Sequence, residues 1–252
     1  MKLFGDYHTH TFYSDGVSSI EENVISAVNK GLKQVAITDH SFSHMAHGIN
    51  KKSYAEQTNI INELKTKYPE IEILHGVESN LTGLNGTIDV SPEDRSQFDV
   101  LVVGYHYTYK PSGVKNFFNF WLPSVLHLNT KAKIEKNTQA YIKAIENNKV
   151  DIIAHLGYGI KVNPVKIAEV AAKHETYIEL NAKHLSFTDS QMQEMINTGV
   201  KFIISSDAHH YSSVGKNNVA YALIERLNIP HSQIVNLLDV PKFKNYNLNK
   251  KY

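Results

Sequence analysis

The sequence predicts an α/β fold: a single barrel-type domain in which about seven parallel strands alternate with helices. Three observations lead there. Short apolar, β-branched runs recur along the 252 residues, helical periods separate them, and nearly every run ends on a histidine or a carboxylate. Runs such as Val100-Leu101-Val102-Val103 lack polar alternation, which marks strands buried on both faces of a parallel sheet. Strand and helix in alternation is the pattern of α/β folds, and this length supports one large core. No linker forces a split, so 1–252 is expected as one domain, ending in a polar, basic and solvated tail from about residue 242.

The expected strands are 3–10, 34–40, 71–79, 98–106, 150–157, 176–181 and 201–209. Ser18 or Ser19 caps the first helix, where Glu21 and Glu22 suit the positive end, Ile20, Val24, Ala27 and Val28 form an inner stripe, and Gly31 stops it. Further helices are expected at 53–68, 130–148, 164–173 and 188–197, the last closed by Gly199, followed by 214–227 and 231–238. Segment 107–129 fits the alternation poorly. It holds Phe117-Phe118-Asn119-Phe120-Trp121, too aromatic for disorder, and reads as a long loop serving as a lid or as a contact in a homo-oligomer.

Composition narrows the chemistry. Lys plus Arg number 26 against 25 Asp plus Glu, a net charge of +1, so there is no general field for nucleic acid or membranes and an anionic partner must be caught locally. With no cysteine, disulfides and thiolate sites are excluded, and any metal must be held by His, Asp and Glu. Fourteen histidines is a high number for this length. The N-terminus meets charge too early for a signal peptide and no apolar run approaches the ~18 residues of a membrane span, so a cytoplasmic address is expected.

The candidate site follows from where strands end. In Asp6-Tyr7-His8-Thr9-His10 the two histidines share a strand face and can hold one ion between them. Asp207-Ala208-His209 repeats that spacing. A parallel barrel builds its active site from the loops after its strands, and there lie Asp15, His40, Glu78, His106 and His155 as well. Glu78 follows an apolar run, a poor place for a carboxylate unless it meets positive charge. A lone histidine is commonly a packed core residue, and matched placement is what argues for His106 and His155. Asp39 and His40 face opposite ways, so His40 enters the site while Asp39, like Asp6, supports from behind. His44, His47, His75, His127, His174 and His210 lie off the pattern and read as surface or packing residues, while His184 lines the mouth.

In this order, Asp-x-His-x-His, Ile37-Thr38-Asp39-His40, Gly76-Val77-Glu78, Gly104-Tyr105-His106, Ala154-His155 and Ser206-Asp207-Ala208-His209 resemble the PHP (polymerase and histidinol phosphatase) superfamily, over nearly the whole chain. Asp89, Asn137-Thr138-Gln139-Ala140 and the stretch from Ala171 to Glu179-Leu180-Asn181 are most similar to YcdX-type trinuclear phosphatases. The resemblance implies a distorted, TIM-like barrel of seven strands with two or three divalent metal ions (zinc, manganese or iron) at the carboxyl end. It implies one ion on His8, His10, Glu78 and Asp207, a second bridged by Glu78 to His106 and His155, and a third on Asp15, His40 and His209. Asp15 stands where some relatives carry histidine, Leu156 where a proline often follows, and the aromatic segment is longer.

Three divalent ions against three carboxylates leave an excess of about +3, which favours a phosphate dianion over a neutral amide. The expected reaction is hydrolysis of a small phosphorylated metabolite by metal-held water near Glu78, Asp207 and His209, releasing phosphate. Lys161 and Lys183 are the candidate phosphate contacts, because neither Arg95 nor Arg226 follows a ligand-bearing strand. Histidinol phosphate hydrolysis, an amidohydrolase-type reaction and a non-catalytic metal-binding module stand as alternatives.

Overall fold

In the computed structural model, which describes residues 2–246, seven parallel strands pair in chain order: β1 (Gly5–Asp6), β2 (Gln34–Ile37), β3 (Glu72–Asn80), β4 (Val100–Gly104), β5 (Ile152–Ile153), β6 (Tyr177–Asn181) and β7 (Phe202–Ser205). A parallel bridge between Thr9 and Ala208 nearly closes the ring beyond the ends of β1 and β7, with the His10 amide donating to the Ala208 carbonyl at 2.7 Å. Most ladders are shorter than the apolar runs, the chain leaving the sheet before the candidate ligands, as at Asp6 and Ser205, whereas β3 carries Glu78 inside its ladder.

Six longer helices return the chain: α1 (Ile20–Asn29), α2 (Lys51–Lys67), α3 (Lys131–Asn148), α4 (Pro164–Lys173), α5 (Asp189–Asn197) and α6 (Asn218–Leu227). Their starts are chemical. Ser19 with Glu22, Asn50 with Ser53 and Thr188 with Gln191 form reciprocal capping boxes. Ser53 is therefore the third helical residue of α2 and not its start, as the expected boundary had it. The helix expected from 214 begins at Asn218, because Tyr211–Ser213 makes a 3-10 turn and Gly215 takes φ 70°. The stretch 231–238 divides into a 3-10 turn, His231–Gln233, and one α turn, Val235–Leu238.

The strands are buried on both faces, as their unbroken apolar runs require. Ala36, Leu74, Val100, Val102, Ile152, Ala154 and Ile203 pack together inside the barrel. Val35, Ile37, Ile73, Val77, Leu101, Val103, Ile153, Ile178, Leu180 and Ile204 pack outward against the helices. Side chains two apart share a face, so the inward phase carries on from Ala36 to His40, from Leu74 to Glu78, from Val102 to His106 and from Ile203 to Asp207. The apolar interior is thus the floor on which the strand-end residues stand.

Two expectations change. The middle of segment 107–129 is wound into short helical turns, Val114–Asn116, a π turn at Phe117–Trp121, and Leu122–Val125, between irregular flanks at 107–113 and 126–129. Phe120 is fully buried, 5.4 Å edge-on to Tyr105. The Trp121 indole donates to the Tyr107 carbonyl at 2.8 Å, and the Lys133 ammonium donates to the Asn119 carbonyl at 2.6 Å. Pro111, Gly113 and Pro123 punctuate the segment like loop residues, which hides turns that tertiary packing holds.

The tail also departs from a solvated end as far as residue 246; residues 247–252 lie outside the described ones. Phe243 is buried, its ring 5.1 Å from Tyr7 and 6.2 Å from Tyr177. The Lys244 amide donates to Asp151 at 2.8 Å, and the Asn245 side chain donates to the Arg95 carbonyl at 2.8 Å. This strap closes the amino end of the barrel, opposite the ligands. Among the described residues no helix is long and apolar enough to cross a membrane. Phe243→Ala should cost about 3 kcal/mol of unfolding free energy, read as a lower urea midpoint with an unchanged denaturant slope; an unchanged midpoint would return the strap to the status of a loose end.

Candidate metal centre

The strand ends converge on Glu78, which is 1% exposed. Its Oε2 lies 3.4 Å from His8 Nε2, 3.6 Å from His10 Nε2 and 2.9 Å from His40 Nδ1. Its Oε1 lies 2.9 Å from His155 Nε2 and 3.5 Å from His106 Nε2. Beyond this group, Asp207 Oδ1 is 3.4 Å from both His10 Nε2 and His209 Nδ1. Asp15 Oδ2 is 3.3 Å from both His40 Nε2 and His209 Nε2. All nine residues expected as ligands therefore meet in one connected cluster.

The donor set fits cations. Glu78 Oε2 and the three nitrogens around it, on His8, His10 and His40, are all buried without a hydrogen-bond partner; the 2.9 Å approach of His40 lacks the alignment of a hydrogen bond. Each such group costs on the order of 1–3 kcal/mol unless something binds it. Ligand atoms close enough to share an ion fall into three overlapping groups: His10, Asp15, His40 and His209; His8, His10 and Asp207; and His40, Glu78 and His106. The overlaps at His10 and His40 cut across the division that the sequence resemblance implies.

Electrostatics tell the same story. Burial works against a charged Glu78, yet His106, His8 and His40 outweigh it and hold the carboxyl well below its ordinary range. Burial likewise opposes charge on His8, but Glu78, Glu179 and Asp207 lift it well above the usual imidazole value. His40, between Glu78 and Asp15, is lifted against its burial to about 10.

Backbone and supporting residues make room for the cluster. His155 breaks the inward phase of β5, and its φ of 29° turns its ring onto Glu78; Asp207 has φ 51°. Non-glycine residues held in this region store strain that the surroundings must impose. A Cβ on Gly104 would stand 2.7 Å from His155 Cε1 and 2.8 Å from Glu78 Oε1, so only glycine leaves space for that contact. Asp6 accepts from the Ser206 amide at 3.0 Å and the Gly215 amide at 2.7 Å, fixing the backbone beside Asp207. Asp39 accepts from the Thr11 amide at 2.7 Å and from Gln57 at 2.6 Å, and also from Ser14, holding the turn that carries Asp15.

The sequence reading gave Glu179 no role. It is fully buried on β6, its Oε1 2.8 Å from His8 Nδ1 and its Oε2 accepting from the His155 amide at 2.8 Å. This contact orients His8 and leaves its Nε2 for Glu78's side. The signal was available, an acid inside an apolar strand, as for Glu78. His44, expected as a surface or packing residue, is a packing one: it is buried, stacked on His40 at 4.5 Å, and its Nε2 meets Thr108 Oγ1 at 2.5 Å.

Of the expected substrate contacts, the Lys183 ammonium reaches the cluster, 3.0 Å from His209 Nδ1 and 3.7 Å from Asp207 Oδ1. His184 stacks at 4.0 Å on Tyr158, whose ring stands 5.6 Å from His155. Lys161 is exposed; its carbonyl accepts from Asn137 at 3.1 Å, and its ammonium makes no contact with the cluster among the described residues. Arg95 is buried against Asp151 at 2.7 Å, and Arg226 pairs with Asp189, both away from the site.

Comparison with known proteins identifies the family. The chain matches the PHP domain family over residues 6–189 and belongs to it. It is 31% identical, over all of its length and 93% of the relative's, to a protein of Caldanaerobacter subterraneus named "Probable phosphatase". A protein of Shewanella loihica with the same name is 28% identical over 94% of this chain and 90% of its own. The fold is similar to the histidinol phosphate phosphatase of Lactococcus lactis, a structure complexed with zinc, L-histidinol and phosphate, at a TM-score of 0.62 and 19% identity over 99% of this chain and 100% of that one.

Because His8 is lifted well above the usual imidazole value and His40 to about 10, the metal-free protein carries protons there that a cation must displace. Titration calorimetry at pH 7 in buffers of different ionisation enthalpy should show net proton release on binding, with apparent affinity rising with pH and falling in acid. Zero release or uptake would contradict the charge assignment.

Proposed function

We propose that this chain is a metal-dependent phosphatase that hydrolyses small phosphomonoesters. The observation that carries the reading is Glu78, a buried carboxylate whose two oxygens face two sets of imidazoles, with Oε2 and its three neighbouring nitrogens lacking hydrogen bonds. We assign His8, His10, Glu78 and Asp207 to one divalent ion, Glu78 with His106 and His155 to a second, and Asp15, His40 and His209 to a third. Such ions, when bound, supply Lewis-acid charge to the phosphoryl oxygens and the leaving alkoxide and lower the pKa of water. Histidine and carboxylate donors suit zinc, manganese or iron.

The chain's own residues do the rest. Asp15, His209 and Lys183 form the open flank, with side chains 28%, 35% and 39% exposed, whereas His8 and His10 are fully buried. Substrate enters from that flank. The Lys183 ammonium, anchored on the Asp207 carbonyl, faces a phosphoryl oxygen and draws the dianion in. The net reaction forms one bond from water oxygen to phosphorus and breaks the ester P–O bond, the alcohol leaving with a proton. The stacked Tyr158 and His184 offer a planar platform for the leaving group, and histidinol phosphate is one phosphomonoester of this kind. The exposed Val114, Phe118 and Leu126 of the aromatic segment are assigned to covering the mouth or to contact between copies.

An amidohydrolase-type reaction is not favoured, since the chain belongs to the PHP family and an excess of positive charge suits phosphate better than a neutral amide. A non-catalytic module has no reason to keep nine ligands in contact. His10→Ala and Asp207→Ala should each lower phosphate release from an aryl phosphate by ~10²–10³-fold or more while far-ultraviolet circular dichroism stays unchanged. Wild-type turnover in either folded variant would sink the reading, as would purified protein that retains no transition metal by elemental analysis.

A further inference from the structure

Asp89 belongs to none of the ligand groups, yet its carboxylate gathers more donors than any turn requires. It follows the excursion that leaves β3 and returns through the antiparallel bridge between Leu81 and Ile88. Its Oδ1 accepts from Ser41 Oγ at 2.5 Å, Ser79 Oγ at 2.6 Å and the Asn80 amide at 2.8 Å. Its Oδ2 accepts from Ser43 Oγ at 2.5 Å and Asn80 Nδ2 at 3.3 Å. Ser79 and Asn80 are sequence neighbours of Glu78, and Ser41 directly follows His40. The serines at 41 and 43 lie more than forty residues away along the chain, so these bonds tie separate strand ends together and do not merely close a local turn.

One link goes further. With Asn80 Nδ2 committed to Asp89, the Asn80 carbonyl oxygen faces the other way and meets His106 Nδ1 at 2.8 Å. A carbonyl oxygen can only accept, so His106 carries its proton on Nδ1 and leaves the Nε2 lone pair free, 3.5 Å from Glu78 Oε1. His40, Glu78 and His106 form one of the three ligand groups, and Asp89 touches the neighbours of all three.

We propose that Asp89 is the positioning residue of the His40–Glu78–His106 triad: it clamps the loop after β2 to the end of β3 and, through Asn80, sets the tautomer of His106. The inference rests on the proposed reading that Glu78 and His106 hold one divalent ion and His40 its neighbour. A carboxylate is required because the Asn80 amide and side-chain N–H groups are fixed donors aimed at both oxygens. An amide at position 89 accepts on one oxygen only and turns its NH₂ against the other donors.

The test is titration of chelator-stripped protein with zinc, with stoichiometry from elemental analysis and no phosphate ester present. In Asp89→Asn one class of site should weaken by ~10–100-fold while the remaining zinc affinity stays at the wild-type level. Asn80→Leu, which cuts only the last link, should weaken the same class and shift His106 toward the Nε2–H tautomer in long-range ¹H–¹⁵N spectra; it also carries the test should Asp89→Asn fail to fold. Thr188→Ala, which removes the cap of α5 and whose capping hydrogen bonds run to Gln191 and to none of the ligands, should lower the melting temperature and leave every affinity alone. Unchanged zinc binding in Asn80→Leu, or a uniform loss over all sites in proportion to lost fold, would overturn the proposal. Failure of the phosphatase reading leaves this result standing, because no substrate is used, whereas wild-type protein that takes up no zinc overturns both.

Discussion

A buried negative charge governs this molecule. Glu78 sits at the centre of the strand ends almost without solvent, and an isolated carboxylate there would lose several kcal/mol of hydration. Five imidazoles surround it, contributed by four other strand ends. Neutral imidazoles alone do not balance the charge, and protons or divalent ions must. The same constraint explains the local costs the backbone carries nearby: the left-handed His155 and Asp207, and a glycine at position 104 whose missing side chain admits the His155 ring.

The barrel serves that arrangement by separating its two ends. At the amino end, Phe243 and the buried Arg95–Asp151 pair close the interior, and seven apolar side chains fill the space above. The candidate ligands are thereby gathered at the carboxyl end, where several have a partner behind them. Glu179 supports His8, Asn80 supports His106, and Asp39 supports the turn bearing Asp15. Such backing fixes tautomers and ring directions before any ion arrives, so little reorganisation remains for binding. Solvent reaches the cluster along the flank of Asp15, His209 and Lys183, the side on which charge in excess of the ligands can meet an anion.

The nine candidate ligands and the sevenfold alternation were legible because both rest on short-range rules. A strand alternates faces every residue, so His8 with His10, and Asp207 with His209, announce themselves by spacing, and the same rule chose His40 over Asp39. Glu179 was equally exposed to that rule, as an acid inside an apolar strand, but its partners lie on other strands. His44 gave no such signal, since its burial against His40 depends on a rim formed with Tyr109 across the mouth. The helical turns of the aromatic segment were hidden by their own prolines and glycine, and Phe243 by the lysines on either side of it.

By itself, then, the order of residues determined the class of fold, the residue types at each strand end and the excess of cation-binding groups, because these follow from periodicity and composition. Which nitrogen meets which oxygen was decided by the closed barrel alone. His155 shows why: alternation points it away from the site, and a single positive φ, affordable only within a packed surround, turns it inward to Glu78. Contacts between strand ends separated by dozens of residues depend on sheet closure and register, which no local pattern encodes.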